Sequence, residues 1–303
     1  MKSEASFKRS PFFYVGDKYK LIGRIKEYFP ANIETFVEPF LGGGSVFMNV
    51  EAKRYILNDI DSNVIALHKF LVSQSAKENV LLKRIKKIAE HYNLSRSVFE
   101  NVVPLSLKKQ WVKTYYAEYN RKGYGLLKSD YNNSKKKNPL ILYLLLIYGF
   151  NRMLRFNRLG EFNIPVGNVD LNQNVLKSLR DYFVVVKGKS IKFYSQDFKK
   201  FITGLKLKKN DFVYIDPPYL ISASEYNKLW SDRQEAELLE ILSNLNKKGI
   251  RFALSNITAY NGRKNKKLIA WMKDYKVIRI DSNYISYHNN TKKKIDEVLI
   301  INY

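Results

Sequence analysis

The chain contains no cysteine. Disulfides, thiolate metal sites and cysteine nucleophiles are all excluded at once. Histidine is nearly as scarce: His68, His91 and His288 are the three present, they share no motif, and they read as structural or surface residues. Acidic residues are few, 28 Asp and Glu against 53 Lys and Arg, for a formal charge of +25. That excess goes beyond what solubility asks for and points to a polyanion, nucleic acid first, because neutralising phosphates releases counterions. A general lysine bias of composition is the competing reading. Long apolar runs are missing too. The longest, Leu140 to Ile147, is too short to cross a bilayer, and MKSEASFKRSPFF at the start lacks an apolar signal core. The expectation is a cytoplasmic protein with no membrane partner.

What is present is ordinary for a folded chain: 303 residues, 45% of them hydrophobic, enough to bury a sizeable core. Lys18 to Phe29 places Leu21, Ile22, Ile25, Tyr28 and Phe29 on one helical face that Pro30 ends. TFVEPFLGGGSVFMNV then reads as a short strand, a glycine turn and a helical pattern. RYILNDIDSNVIALHKFL repeats the layout, with Tyr55 to Leu57 as strand and Ser62 as the expected N-cap. IKFYSQDF, DFVYIDPPY, a helix around Gln234 to Asn246, RFALSNI and a helix around Lys264 to Met272 continue the alternation. KVIRI and EVLIINY close it, expected as an antiparallel edge hairpin. This is the pattern of an α/β protein with a mostly parallel, doubly wound sheet, whose ligands sit beyond the carboxyl ends of the strands. The middle departs from it. From about Val72 to Leu179 the sequence reads as helices and loops rich in Lys, Asn and Tyr, with Lys135 to Lys137 as a solvated loop. The expected division is a catalytic domain of residues 1–71 and 180–303, with 72–179 inserted as a helical subdomain.

Three features carry chemistry. In FVEPFLGGGS a strand runs into Gly42, Gly43 and Gly44, which lets a ligand approach the backbone closely. The Lys-Ser/Thr of a P-loop does not follow, so nucleoside triphosphate hydrolysis is disfavoured. Asp59 ends the next strand about twenty residues on, where a carboxylate accepts from ribose hydroxyls. Asp61 competes for that role. The third feature is the tetrad Asp216-Pro217-Pro218-Tyr219 at the end of an apolar run. The prolines cannot continue a central ladder and hold the chain extended past the strand. Asp216 and the Pro217 carbonyl then offer two acceptors beside the Tyr219 ring, which suits the exocyclic amino group of a flipped-out base. A turn aspartate with a packed tyrosine is the alternative.

These residues resemble the DNA adenine methylase (Dam) type of amino-group DNA methyltransferases. The likeness covers most of the chain in the family's order. It implies a Rossmann-like S-adenosylmethionine-dependent methyltransferase sheet, with a target-recognition subdomain where the helical insertion falls. YVGDKYKLI is similar to the family's N-terminal cofactor segment, which implies cofactor contacts from Tyr14 and Lys18, although the family often has tryptophan in place of Tyr14 and glycine in place of Asp17. By the same likeness Phe40, Gly42, Gly43 and Gly44 lie against the methionine portion, Asp59 binds the ribose, Asp197 lies near the adenine, and Asp216 serves both cofactor and target.

GFNRMLRFNRLGEFNIPVG, residues 149–167, is similar to the family's hairpin that enters DNA. The likeness implies that Phe150 and Asn151 disturb the base stack, that Arg155 reads a guanine edge, that Pro165 touches a thymine methyl, and that Arg152 and Asn157 also contact DNA. A bidentate arginine–guanine pair is worth about 1–3 kcal/mol of discrimination; generic phosphate contact is the alternative for the arginines. Arg152 and Met153 stand where GATC-specific members have glycine and leucine, and NVDLNQN lacks the usual aromatic and lysines, so GATC is the leading target without a full match.

The activity expected is methyl transfer from S-adenosylmethionine to N6 of adenine in double-stranded DNA, without metal. It would serve a restriction-modification, phage or orphan system in a bacterial or phage-infected cell, with a cognate restriction endonuclease as a second partner in the first case. Cytosine C5 methylation is excluded with cysteine. Cytosine N4 methylation, RNA adenine methylation and a catalytically inactive DNA-binding protein are the alternatives. ISASEY, just after the tetrad, is a candidate loop to close over the target.

Overall fold

The structure, a computed structural model, describes residues 7–100, 102–222, 230–280 and 295–303. The chain divides into two compact units. One holds the segment up to Tyr19, Gly42–Met48 and Asp61–Gly188; the other holds Lys20–Leu41, Asn49–Ile60 and the segment from Lys189 onward.

The second unit contains the sheet. Its strands are β1 (Ile33–Glu38), β2 (Ala52–Asn58), β3 (Ser190–Tyr194), β4 (Phe212–Ile215), β5 (Arg251–Tyr260), β6 (Arg263–Lys264), β7 (Lys276–Ile280) and β8 (Ile295–Ile301). Among the described residues the order is β3-β2-β1-β4-β5-β8-β7, with β6 paired to β5. β3, β2, β1, β4 and β5 are mutually parallel, whereas β8 runs antiparallel to both β5 and β7. This is the mostly parallel Rossmann-like sheet expected, with KVIRI and EVLIINY as the antiparallel pair at the edge. The four residues of β4 are buried throughout, as a parallel strand covered on both faces requires.

One face of the sheet is covered by α8 (Phe198–Gly204), α9 (Asp232–Lys247) and α10 (Lys266–Trp271), whose Phe201, Leu238, Leu242 and Leu268 pack on Val213, Phe252 and Leu254. α9 starts in a capping box between Ser231 and Gln234. On the other face Phe29 lies 5.0 Å from Phe212 and 5.4 Å from Tyr214, ring centre to ring centre. That packing shortens the expected Lys18–Phe29 helix to α1 (Ile22–Lys26), because Phe29 leaves the helical path to reach the strands.

The first unit is helical. α2 (Ser62–Gln74), α3 (Glu78–His91), α4 (Leu105–Gln110), α5 (Tyr115–Asn133), α6 (Pro139–Tyr148) and α7 (Gln173–Val186) compose it. α6 holds the longest apolar run and is buried on nearly every side, with α2 and α5 packed against it. Asn138 caps it and Pro139 opens it, the arrangement that costs the helix no hydrogen bond. The N-cap of α2 is Asp61, which accepts from the Asn63 amide at 2.8 Å, so the expected cap Ser62 is instead the first helical residue. The helical pattern expected after Gly44 is a single 3-10 turn, Phe47–Asn49, since β2 begins at Ala52. Among the described residues no helix is long and apolar enough to cross a membrane.

Candidate active site

In the sheet unit the chain builds outward from β1 through β2 to β3, then returns to place β4 on the other side of β1. The strand order reverses between β1 and β4, and in such sheets ligands bind beyond the carboxyl ends at that reversal. The residues there are Glu38 at the end of β1 and Asp216 immediately past β4. The Tyr219 hydroxyl donates toward Asp216 Oδ1 at 3.1 Å and toward Glu297 Oε1 of β8 at 3.3 Å. Pro217 is buried and Pro218 half-buried, and from Asp216 to Tyr219 the chain has no regular secondary structure.

Beneath them lies Tyr214, fully buried, its hydroxyl 2.8 Å from Ser255 Oγ. Burial pushes its phenol well above the ordinary tyrosine value, and the negative field of Asp216 adds to this, with Glu38 and Glu297 contributing and the Ser255 bond opposing. Three carboxylates thus act on one point at the strand ends. In a chain of net charge +25 that concentration of negative charge favours a cationic ligand or amino hydrogens.

Asp59 lies just past β2, half-buried, with its amide donating to the Tyr194 carbonyl at 3.3 Å. Its neighbour Asn58 is 1% exposed and ties the strand ends together. Its amide nitrogen donates to the carbonyls of Pro39 and Gln196, both at 3.0 Å, and its oxygen accepts from the Gln196 amide. Asn58 therefore sets where Phe40 and Asp197 stand. Phe40 packs at 5.5 Å from Phe198 and 5.6 Å from Trp230, and Trp230 donates to buried Glu235 at 2.7 Å. Asp197 is exposed and caps α8, accepting from the Lys199 amide at 2.9 Å.

In the helical unit the glycine turn is held against the N-terminal segment. Ser10 donates to the Gly43 carbonyl, and a Cβ at Gly43 would meet Tyr14 Cβ at 2.8 Å, so no larger residue fits there without a shift. Gly44 has a φ of +73° and faces the Phe47 ring, a second place that glycine alone satisfies. His68, fully buried on α2, sits 2.9 Å by Nε2 from the Gly42 carbonyl and 2.9 Å by Nδ1 from the Tyr182 hydroxyl. Burial lowers its pKa to about 4, the Gly42 bond opposing, so the ring is neutral near pH 7. Nε2–H donates to the carbonyl and Nδ1 accepts from tyrosine. Lys18 is buried, and Asp17 beside it has its carboxyl raised above the usual range by burial.

Residues 149–167, also in this unit, form a hairpin. Gly149 bridges Val166 and Phe156 bridges Phe162, both antiparallel. Phe162 and Ile164 are buried beneath, while Phe150 (51% exposed), Asn151, Arg155 and Pro165 face outward. Asn151 and Arg152 have φ of 51° and 49°, consecutive non-glycine residues in the left-handed region, where strain concentrates at functional sites. The Arg152 guanidinium lies 3.8 Å over the Phe13 ring, and burial lowers its pKa to about 10 without removing its charge at neutral pH. Arg155 Nε donates to Asn163 Oδ1 at 2.9 Å, and Asn157 donates to Glu161 at 2.7 Å. Leu159, 83% exposed at the tip, was not singled out by its sequence context. Of ISASEY, the residues from Ala223 lie outside the described residues. Among the described residues no cluster of metal-ligating side chains occurs.

His68, Asn58, Ser10 and Glu297 carry no local signal: their hydrogen-bond partners lie 19 to 138 residues away in the chain. Glu38 is the exception, standing inside the FVEPFLGGGS motif.

Comparison with known proteins shows the family. Residues 14–285 match the family model of D12 class N6 adenine-specific DNA methyltransferases. Type II methyltransferase M.FokI of Planomicrobium okeanokoites is 36% identical over 307 residues, 98% of this chain and 43% of that protein. Modification methylase StsI of Streptococcus sanguinis is 33% identical over 314 residues, 100% of this chain and 44% of its own length. The chain spans less than half the length of these two relatives. The DNA adenine methylase of Salmonella typhi matches nearly end to end, 31% identical over 299 residues, 95% of this chain and 93% of that one. With a match from Tyr14 to residue 285 and relatives 31–36% identical over nearly the whole of its length, the chain belongs to the D12 class N6 adenine-specific DNA methyltransferases.

Proposed function

We propose that the protein transfers a methyl group from S-adenosylmethionine to N6 of an adenine flipped out of duplex DNA. The observation that carries this reading is the placement of Asp216-Pro217-Pro218-Tyr219 at the strand reversal, in a family of adenine-specific methyltransferases. The acidic strand ends fit the cofactor, a sulfonium cation with a ribose and an adenine amino group. Bound S-adenosylmethionine supplies an electrophilic methyl group. The chain's part is to position and polarise. Asp216 and the Pro217 carbonyl accept the two amino hydrogens of the target, turning the nitrogen lone pair outward, while the Tyr219 ring stacks on the base. Asp59 accepts from the ribose hydroxyls, Asp197 and Phe40 serve the adenine and methionine portions, and Tyr14, Lys18 and Gly42, Gly43 and Gly44 complete the cofactor contacts.

Residues 72–179 act as the target-recognition subdomain. In it Arg155 reads a guanine edge, Pro165 touches a thymine methyl, Phe150 and Asn151 disturb the stack, and Arg152 and Asn157 add DNA contacts. GATC is the first target to test. The names of the M.FokI and StsI relatives support a modification role, in which a cognate endonuclease would be the second partner.

The test is tritiated methyl transfer to duplexes with and without GATC, followed by nucleoside analysis. N6-methyladenine is expected, with Asp216→Ala reducing incorporation by roughly a hundredfold or more while duplex binding persists. N4-methylcytosine, label confined to RNA, or incorporation that Asp216→Ala leaves unchanged overturns the reading.

A further inference from the structure

The Tyr219 hydroxyl has one hydrogen and two carboxylate oxygens within reach, Asp216 Oδ1 at 3.1 Å and Glu297 Oε1 at 3.3 Å. One hydrogen cannot satisfy both fully at once. The two acids come from different places. Asp216 is local to the tetrad, three residues from Tyr219, whereas Glu297 projects from β8, two strands away from β4 in the sheet.

Glu297 is 3% exposed in a strand whose next four residues, Val298 to Ile301, are buried and apolar. A carboxylate is costly in such a position, and an apolar residue would suit the strand better. Its aim is also set by a local irregularity. The β5–β8 register shifts between Ile257, which pairs with Glu297, and Ala259, which pairs with Asp296. Such a bulge turns side chains away from the regular alternation, and bulges gather beside active sites. Burial, the bulge and the bond to Tyr219 all bear on the same side chain.

We propose that Glu297 is a positioning residue that takes over the Tyr219 hydroxyl when the target amino group engages Asp216. The inference rests on the methyl-transfer reading above. While Tyr219 donates to Asp216 Oδ1, it competes for the carboxylate with the amino hydrogen that Asp216 is to accept. Transfer of that hydrogen bond to Glu297 releases the oxygen and keeps the phenol satisfied, so the ring holds its plane beside the base. No covalent bond changes in this step.

The experiment is single-turnover methyl transfer at saturating cofactor and duplex, with the full chain carrying Glu297→Ala, Glu297→Leu or Glu297→Gln, each with Tyr219 and with Tyr219→Phe. With Tyr219 present, Glu297→Ala and Glu297→Leu should slow transfer by roughly tenfold at unchanged cofactor affinity, and Glu297→Gln, which keeps an acceptor oxygen, should restore most of the rate. With Tyr219→Phe, which retains the ring but has no hydroxyl to pass on, the same Glu297 changes should cost less than about twofold. Glu297→Leu suits the apolar strand and keeps the test alive if Glu297→Ala does not fold. Equal losses in both backgrounds, or no loss in either, overturn the proposal and leave the methyl-transfer reading standing. A wild-type protein that methylates no nucleic acid overturns both.

Discussion

His68 shows how much one side chain settles. Its neutral ring joins the Gly42 carbonyl to the Tyr182 hydroxyl, and its folded pKa, about 4, lies below the ordinary value of 6.5. Between those two values the unfolded chain holds a proton that the folded one refuses. The stabilisation from keeping His68 neutral is therefore complete above about pH 6.5 and is lost as pH falls toward 4, on the order of 3 kcal/mol in all. The expected result is a melting temperature that falls between pH 7 and pH 4.5 by clearly more in the wild type than in His68→Phe, which keeps an aromatic ring beside Phe12, Phe47 and Tyr182 and cannot titrate. Parallel pH profiles for the two proteins would remove His68 from this role.

The hairpin of residues 149–167 is the element on which specificity is proposed to rest. Arg155 is pinned by Asn163, whose side-chain oxygen takes Nε and whose carbonyl lies 3.4 Å from a terminal guanidinium nitrogen. A pinned arginine loses little further freedom on meeting a base edge. Asn163→Ala should reduce discrimination between the recognised duplex and single-base variants by roughly tenfold, while affinity for unrelated duplex changes little. Competition binding checks it; a uniform fall across all sequences would make Arg155 a phosphate contact. This hairpin was legible in the sequence because its motif is contiguous, as was the tetrad, fixed by two prolines at the end of an apolar strand. The glycine turn was legible as well. What followed it was not, because strand β2 begins so soon that one 3-10 turn fills the gap. α1 was overextended for a similar reason: the periodicity that placed Phe29 on the helix serves equally a ring that leaves the helix to pack on β4.

For the whole molecule the governing quantity is charge. An excess of 25 positive charges makes duplex binding an exchange of counterions. Affinity is expected to fall by roughly a thousandfold as salt rises from about 50 to about 200 mM, if six or more phosphates are engaged. A filter-binding series in salt measures the slope, and a flat response would make the lysine excess compositional only.

The order of the strands also governs how the molecule can be made. β1 pairs with β2 early in the chain, but their other partners, β4 and β3, lie beyond residue 188, after the helical segment. During synthesis from the N-terminus, the outer edges of β1 and β2 lack their sheet partners until the later strands emerge. Unpaired edges recruit other strands, and pairings this distant in sequence are slow to form. Translation of the helical segment is thus an interval of exposure, and it ends when Ser190 to Tyr194 and Phe212 to Ile215 close the two sides.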